Sequence, residues 1–264
     1  AKMPDGKTYS EDIKEKTGYT VMPGYGFATH YYNRKNGLVP ESAAYLCTIG
    51  DYAVMRMTGN TRPLIHASNA ASLGFFDVKT GLFDREALKK IGIRADFLPE
   101  MAMGEPVAGF YRGIPVTVAI GDNQAAFFGS VRDEANDLSV NYGTGSQISL
   151  CVNADFPTPL LPLELRPYVE GQALLNGSAL CGGRAYAFLE KFFRAYLDTG
   201  EEQYEKLNAL AEKALKSGEV LKVRTTFCGT RKDPSIRGAI ENIGEENFTP
   251  AALARGVLEG MVDE

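Results

Sequence analysis

Tryptophan is absent from the 264 residues, histidine occurs twice (His30 and His66), and cysteine four times. Two imidazoles exclude a His-rich metal centre. Cys47, Cys151, Cys181 and Cys228 lie far apart, with no C-x-x-C pair and no neighbouring histidine. Neither a zinc knuckle nor a redox dithiol is expected, and four reduced, buried thiols of a cytoplasmic protein are. Apolar runs such as Pro115 to Ile120 fall far short of the ~20 residues that span a bilayer, which excludes a membrane partner. Excess positive charge is missing too: 28 Lys+Arg stand against 33 Asp+Glu, a net charge of −5, and the basic residues are scattered. That removes the footprint a nucleic-acid partner requires. What is present is 44% hydrophobic residues, enough for one large core or two smaller ones.

Capping signals and periodicity divide the chain. Residues from about 40 to 58 predict a helix opened by Pro40-Glu41 and closed by Gly59. Asp84 predicts the cap of a short helix running to Lys90, and the Gly/Pro-rich stretch from Met103 to Gly113 reads as a linker. Ile114 to Ile120 is a β-branched apolar run suited to a buried strand, and Gly121-Asp122-Asn123-Gln124 turns it into a helix. Leu138 to Asn141 and Gln147 to Val152 predict strands joined as a hairpin. A helix starting at Gly182-Gly183 carries Leu189, Phe192, Phe193, Tyr196 and Leu197 on one face, which reads as core. The next helix has Glu201 and Glu202 in its first turn, Lys213 and Lys216 in its last, and Gly218 as its stop. Thr249 and Pro250 open a final helix that is unfinished at Glu264, so the chain reads as a piece of something longer. The alternation of strands and helices predicts an α/β protein with a boundary near residue 112.

Three constellations carry candidate chemistry. Asp122, with Asn123 and Gln124, stands at the carboxyl end of a strand, where open α/β sheets place ligands. A carboxylate there can take a proton from a hydroxyl while the amides bind other hydroxyls, or it can simply cap the helix that follows. Gly143-Thr144-Gly145-Ser146 can aim backbone N–H groups and hydroxyls at phosphate oxygens, or can be an ordinary hairpin turn. No lysine follows it, so it is not a Walker A loop. Gly182-Gly183 leaves a helix N-terminus bare for a nucleotide, or lets the helix pack closely on a strand.

The order and spacing of these three elements resemble the FGGY carbohydrate kinase family. Gly121-Asp122-Asn123-Gln124 looks like the family's catalytic G-D-x-x element. Tyr142 to Ser146 looks like its second phosphate loop, and Asn176-Gly177 through Gly182-Gly183 like the helix start beside the adenosine. Gly229 to Pro234, Arg237-Gly238 and the helix from Ala254 to Gly260 are similar as well. Tyr45 to Gly59, Arg62-Pro63-Leu64 and Asn69 to Asp77 look most like the sedoheptulokinase branch.

The resemblance implies an α/β fold of the actin-like, ribonuclease H-like kind, a two-domain sugar kinase with both domains incomplete. Residues 1–112 would be the rear of the sugar-binding domain and 113–264 the front of the ATP-binding domain. It implies transfer of the γ-phosphoryl group of ATP, with Mg²⁺, to a primary hydroxyl of a ketose. Asp122 would be the base and hold the metal through water. Asn123 and Gln124 would contact the sugar, Gly143, Thr144 and Gly145 the phosphate, and Gly183 the nucleoside. Ala187 stands where many relatives carry a polar residue. The family's first phosphate loop and its Gly-rich adenine segment have no counterpart, so the chain alone is expected to be inactive. A homodimer stays open, and the alternatives are a non-catalytic binding module and an actin-like ATPase of the same fold.

Overall fold

The computed structural model describes residues 2–102, 107–157, 163–169, 171–230 and 233–264. The chain divides into two compact units, one of residues 1–137 and 150–175, the other of residues 138–149 and 176–264. None of the three crossings between them falls at residue 112. Of the linker expected over residues 103–113, residues 103–106 lie outside the described residues, and the remainder forms half of a hairpin.

The first unit begins with three helices, α1 (Tyr9–Thr17), α2 (Gly26–Lys35) and α3 (Ile49–Thr58). A reciprocal cap starts α1: the Thr8 hydroxyl accepts from Glu11 N, and the Glu11 carboxylate accepts from Thr8 N. The same device starts α3, between Thr48 and Asp51. The helix expected from residue 40 therefore begins at Ile49. The Thr-x-x-Asp box satisfies the first-turn donors, and Pro40-Glu41 lies outside the helix. Beyond β1 (Leu64–Ile65) come α4 (Ala67–Leu73), β2 (Phe76–Asp77) and β3 (Leu82–Phe83). Next is α5 (Arg85–Lys90), where the Asp84 carboxylate accepts from Ala87 N at 2.9 Å as its sequence indicates. Strand β4 (Glu100–Met101) pairs in parallel with β1. The core gathers Ile13, Phe27, Tyr31, Ile65, Phe75, Phe83 and Leu88, with Phe27 edge-on to Phe75 and Phe83.

Strands β5 (Val107–Tyr111) and β6 (Ile114–Thr117) form an antiparallel hairpin around Arg112-Gly113, both at positive φ. This corrects the expectation of a buried strand over 114–120. β6 stops at Thr117, and Ile114 is 66% exposed. Among the described residues β6 pairs with β5 alone, and Pro115, which has no N–H to donate, suits such an edge. Helix α6 (Asp122–Ser130) follows.

Strands β7 (Leu138–Tyr142), β8 (Ser146–Asn153), β9 (Glu164–Pro167) and β10 (Gln172–Ala179) make a four-stranded sheet in the order β7-β8-β10-β9. The expected hairpin at 142–146 is present.

The second unit is completed by α7 (Gly183–Tyr196), α8 (Tyr204–Ser217), β11 (Lys222–Arg224), β12 (Ala239–Glu241) and α9 (Pro250–Asp263). Its core joins Ala185, Tyr186, Leu189, Leu207, Leu221, Val223 and Val257. Glycines shape the seat of α9: a Cβ on Gly256 would meet the Leu221 carbonyl oxygen, and one on Gly260 that of Val223. Two expectations fail here. Glu201 and Glu202 precede α8, whose start is held by the buried Glu190 carboxylate accepting from Gln203 N at 3.0 Å. On α7, Leu189 is buried, but Phe192 and Tyr196 are 64% and 82% exposed. The apolar stripe is broader than the face α7 buries within this unit.

Candidate functional site

Candidate residues occur in both units. In the first, Gly121 is the N-cap of α6 and Asp122 its first residue, so Asp122 is not the cap that spacing alone allowed. Its exposed carboxylate accepts from the Asn123 backbone N–H at 2.7 Å. The approach to α6 is fastened by α4. Asn69 Nδ2 donates to the Ala119 carbonyl at 3.0 Å, and the Gly121 N–H donates to Ser68 Oγ at 2.9 Å. Ser68 Oγ lies 2.8 Å from His66 Nδ1, which also accepts the Ser68 backbone N–H. That acceptor role leaves the His66 proton on Nε2, and burial holds its pKa below the ordinary value, favouring the neutral ring.

The three residues of the Asp-Asn-Gln run part company. Asn123 is half-buried, and its Oδ1 accepts from Arg166 Nη1 at 3.3 Å, with Arg166 paired to Glu164 at 2.6 Å. Gln124 is 5% exposed, and its Nε2 donates to the Pro167 carbonyl at 2.9 Å. Phe127, one turn on, packs edge-on against Tyr168, whose hydroxyl donates to Glu134. Gln124 and Phe127 thus tie α6 to the β9 end of the sheet, leaving Asp122 and Asn123 at the surface. Ser68, His66 and Arg166 had no sequence-level signal of their own, although Asn69 lies in the stretch that carried the branch resemblance.

In the second unit, the Gly143 N–H donates to the Gly145 carbonyl at 2.9 Å and closes the tight loop. The loop then serves α7. Gly143 O accepts from Gly183 N at 2.9 Å, and Thr144 O from Arg184 N at 3.2 Å. Approach this close requires bare α-carbons: a Cβ on Gly182 would sit 2.7 Å from Gly145 O and Ser146 N, and one on Gly183 2.9 Å from Gly143 O. Close packing therefore accounts for Gly182 and Gly183. The Gly183 and Arg184 N–H groups that α7 could have offered an anion are thus already engaged, while Gly143 and Thr144 face solvent.

Among the described residues, no cluster of three or more His, Cys, Asp or Glu side chains is placed to hold a metal. Mg²⁺ commonly binds through one or two carboxylates with water and substrate phosphates, so the exposed carboxylate of Asp122 fits it as a single protein group. No helix among the described residues is long and apolar enough to cross a membrane.

Residues 5–129, from before α1 to within α6, match the family model for the FGGY family of carbohydrate kinases, N-terminal domain. Over this stretch the chain resembles an FGGY N-terminal domain. Across nearly its whole length the chain is similar to the sedoheptulokinase of Mus musculus, 27% identical over 269 residues, covering 94% of this chain and 56% of that protein. Among solved structures, a xylulose kinase from Lactobacillus acidophilus matches at TM-score 0.76 and 20% identity, over 96% of this chain and 53% of its own. Plasmodium falciparum glycerol kinase with ADP matches at TM-score 0.74 and 19% identity, over 96% and 53%. These structural likenesses show the fold, an actin-like α/β arrangement. The chain spans about half the length of the relatives it matches.

Proposed function

We propose that the protein carrying this chain is an ATP-dependent FGGY carbohydrate kinase that phosphorylates a primary hydroxyl of a sedoheptulose-like ketose. The observation that carries this reading is Asp122: within the stretch that matches the family model, it stands exposed at the start of α6, with its approach held by Ser68 and Asn69. Phosphoryl transfer has a loose, anionic transition state, so catalysis rests on positioning and charge stabilisation. Asp122 accepts the proton of the attacking hydroxyl. Asn123, fixed by Arg166, contacts the sugar, and Gln124 supports that contact from behind by anchoring α6. Gly143, Thr144 and Gly145 face the transferring phosphate, with the Thr144 hydroxyl as one donor. Gly183 serves the nucleoside by seating α7 against that loop. Asp122 would hold Mg²⁺ through water, and the ion would supply neutralising charge to the phosphates.

The test is coupled detection of ADP release with sedoheptulose, xylulose and glycerol as acceptors. Turnover is expected with the ketose, and Asp122→Asn is expected to lower it by at least ~10³-fold with nucleotide affinity retained. Undiminished turnover in that variant overturns the base assignment. A preference for glycerol overturns the acceptor class and leaves the kinase reading standing.

A further inference from the structure

All four cysteines are free thiols, yet two of them meet. Cys181 Sγ and Cys228 Sγ lie 3.7 Å apart, in the second unit. Cys181 is fully buried just before α7, whereas Cys228 is half-buried in a turn closed by the Gly229 N–H donating to Thr226 O. A third group completes the cluster: Arg184, on the first turn of α7, brings Nη1 to 3.6 Å from Cys228 Sγ.

We propose that Cys181 and Cys228 are a redox-active pair that forms a reversible intramolecular disulfide, with Cys228 the attacking sulfur and Cys181 the resolving one. A disulfide bond is about 2.05 Å long, so the sulfurs need to close by less than ~2 Å. Neither residue is inside a regular element, and side-chain rotation with small backbone shifts supplies that distance. The roles follow from access and charge. Cys228 is the sulfur open to solvent, and it has the Arg184 guanidinium as the partner a thiolate needs. Cys181 is enclosed by the core, and its Sγ meets that of Cys228.

The chemistry balances with a low-molecular-weight disulfide such as oxidised glutathione as oxidant. The Cys228 thiolate attacks one glutathione sulfur, the glutathione S–S bond breaks, and one glutathione thiolate leaves. Cys181 then loses its proton to solvent and attacks Cys228 Sγ. The mixed disulfide breaks, and the second glutathione leaves as thiolate. In sum, two protein thiols become one disulfide, and one oxidised glutathione becomes two reduced molecules. Burial, together with neighbouring Cys228 and Glu264, pushes the Cys181 thiol up to about 11, while Arg184 faces Cys228 from the other side. Resolution is therefore the slower step and quickens as pH rises.

The inference is independent of the kinase reading, and its test needs no turnover. The folded protein is incubated with oxidised glutathione, quenched by alkylation and peptide-mapped. The expected product has lost two free thiols and links the Cys181 peptide to the Cys228 peptide, and dithiothreitol reverses it. Cys228→Ser should leave Cys181 unmodified. Arg184→Leu should slow the first step by about tenfold, with Arg184→Lys recovering part of it. A double Cys47→Ser, Cys151→Ser variant, which leaves the pair untouched, should oxidise as the parent does. Retention of all four thiols, linkage through Cys47 or Cys151, or a stable glutathione adduct on Cys228 that Cys181 never resolves would each overturn the proposal.

Discussion

Two helix starts, one in each unit, carry candidate residues, and they are built in opposite ways. At α6 the helix entry is held by side chains of a distant segment: Ser68 accepts the Gly121 N–H, and Asn69 takes the Ala119 carbonyl. At α7 no side chain intervenes; the carbonyls of Gly143 and Thr144 take the helix's leading N–H groups directly, because Gly182 and Gly183 have nothing to obstruct them. One start is positioned by added groups and the other by removed ones. The first leaves a carboxylate at the surface. The second spends its donors on the loop, so any phosphate contact there falls to the loop itself.

The contrast implies different sensitivities to substitution. Gly182→Ala should have the largest effect, since its Cβ meets backbone atoms of Gly145 and Ser146 that cannot swing aside. A loss of about 3 kcal/mol is expected on denaturant unfolding, with faster amide exchange in the 143–146 loop. A cost below about 1 kcal/mol would break the comparison. At α6 the device is a single hydroxyl. Ser68→Ala should cost about 1–2 kcal/mol by stranding the Gly121 N–H, and Ser68→Thr should recover most of it, a rescue no residue can give at Gly182. Failure of that rescue would mean that packing, not the hydrogen bond, holds the α6 entry.

The smallest effect is one of pH. His66 has its pKa lowered by burial, so the unfolded chain binds a proton before the folded one does. Its contribution is present above the ordinary histidine value of about 6.5 and is lost as pH falls through the folded value. His66→Asn keeps a capping acceptor without titrating. The thermal midpoint of the parent relative to this variant should therefore fall between pH 7.5 and 5.5, and parallel curves would show that His66 carries no such linkage.

The parts legible in the sequence are those decided within one turn of chain. Asp84, Gly218 and Thr249-Pro250 mark real helix ends, and 142–146 is a real hairpin loop. What could not be read depends on what lies opposite. Ile114 to Ile120 has the composition of a buried strand, but burial is a property of neighbours. Gln124 looks like its companions Asp122 and Asn123, and only the Pro167 carbonyl turns it inward. Pro40-Glu41 is a plausible helix opening that loses to the stronger cap at Thr48. The cysteines show the same limit most plainly: a spacing of 47 residues excluded a dithiol by rule, and the fold places the two sulfurs together.

The glycines of α9 form a ruler. Four residues of helix advance about 6.0 Å, two residues of strand about 6.6 Å, and these lengths nearly coincide. Gly256 over Leu221 and Gly260 over Val223 are one mark on each scale, read in the same direction along both elements. A slide of α9 by a single residue would set Val257 and Met261 side chains over those same strand carbonyls. The pair therefore fixes the axial position of α9 on β11 by geometry alone, before any side-chain hydrogen bond is formed.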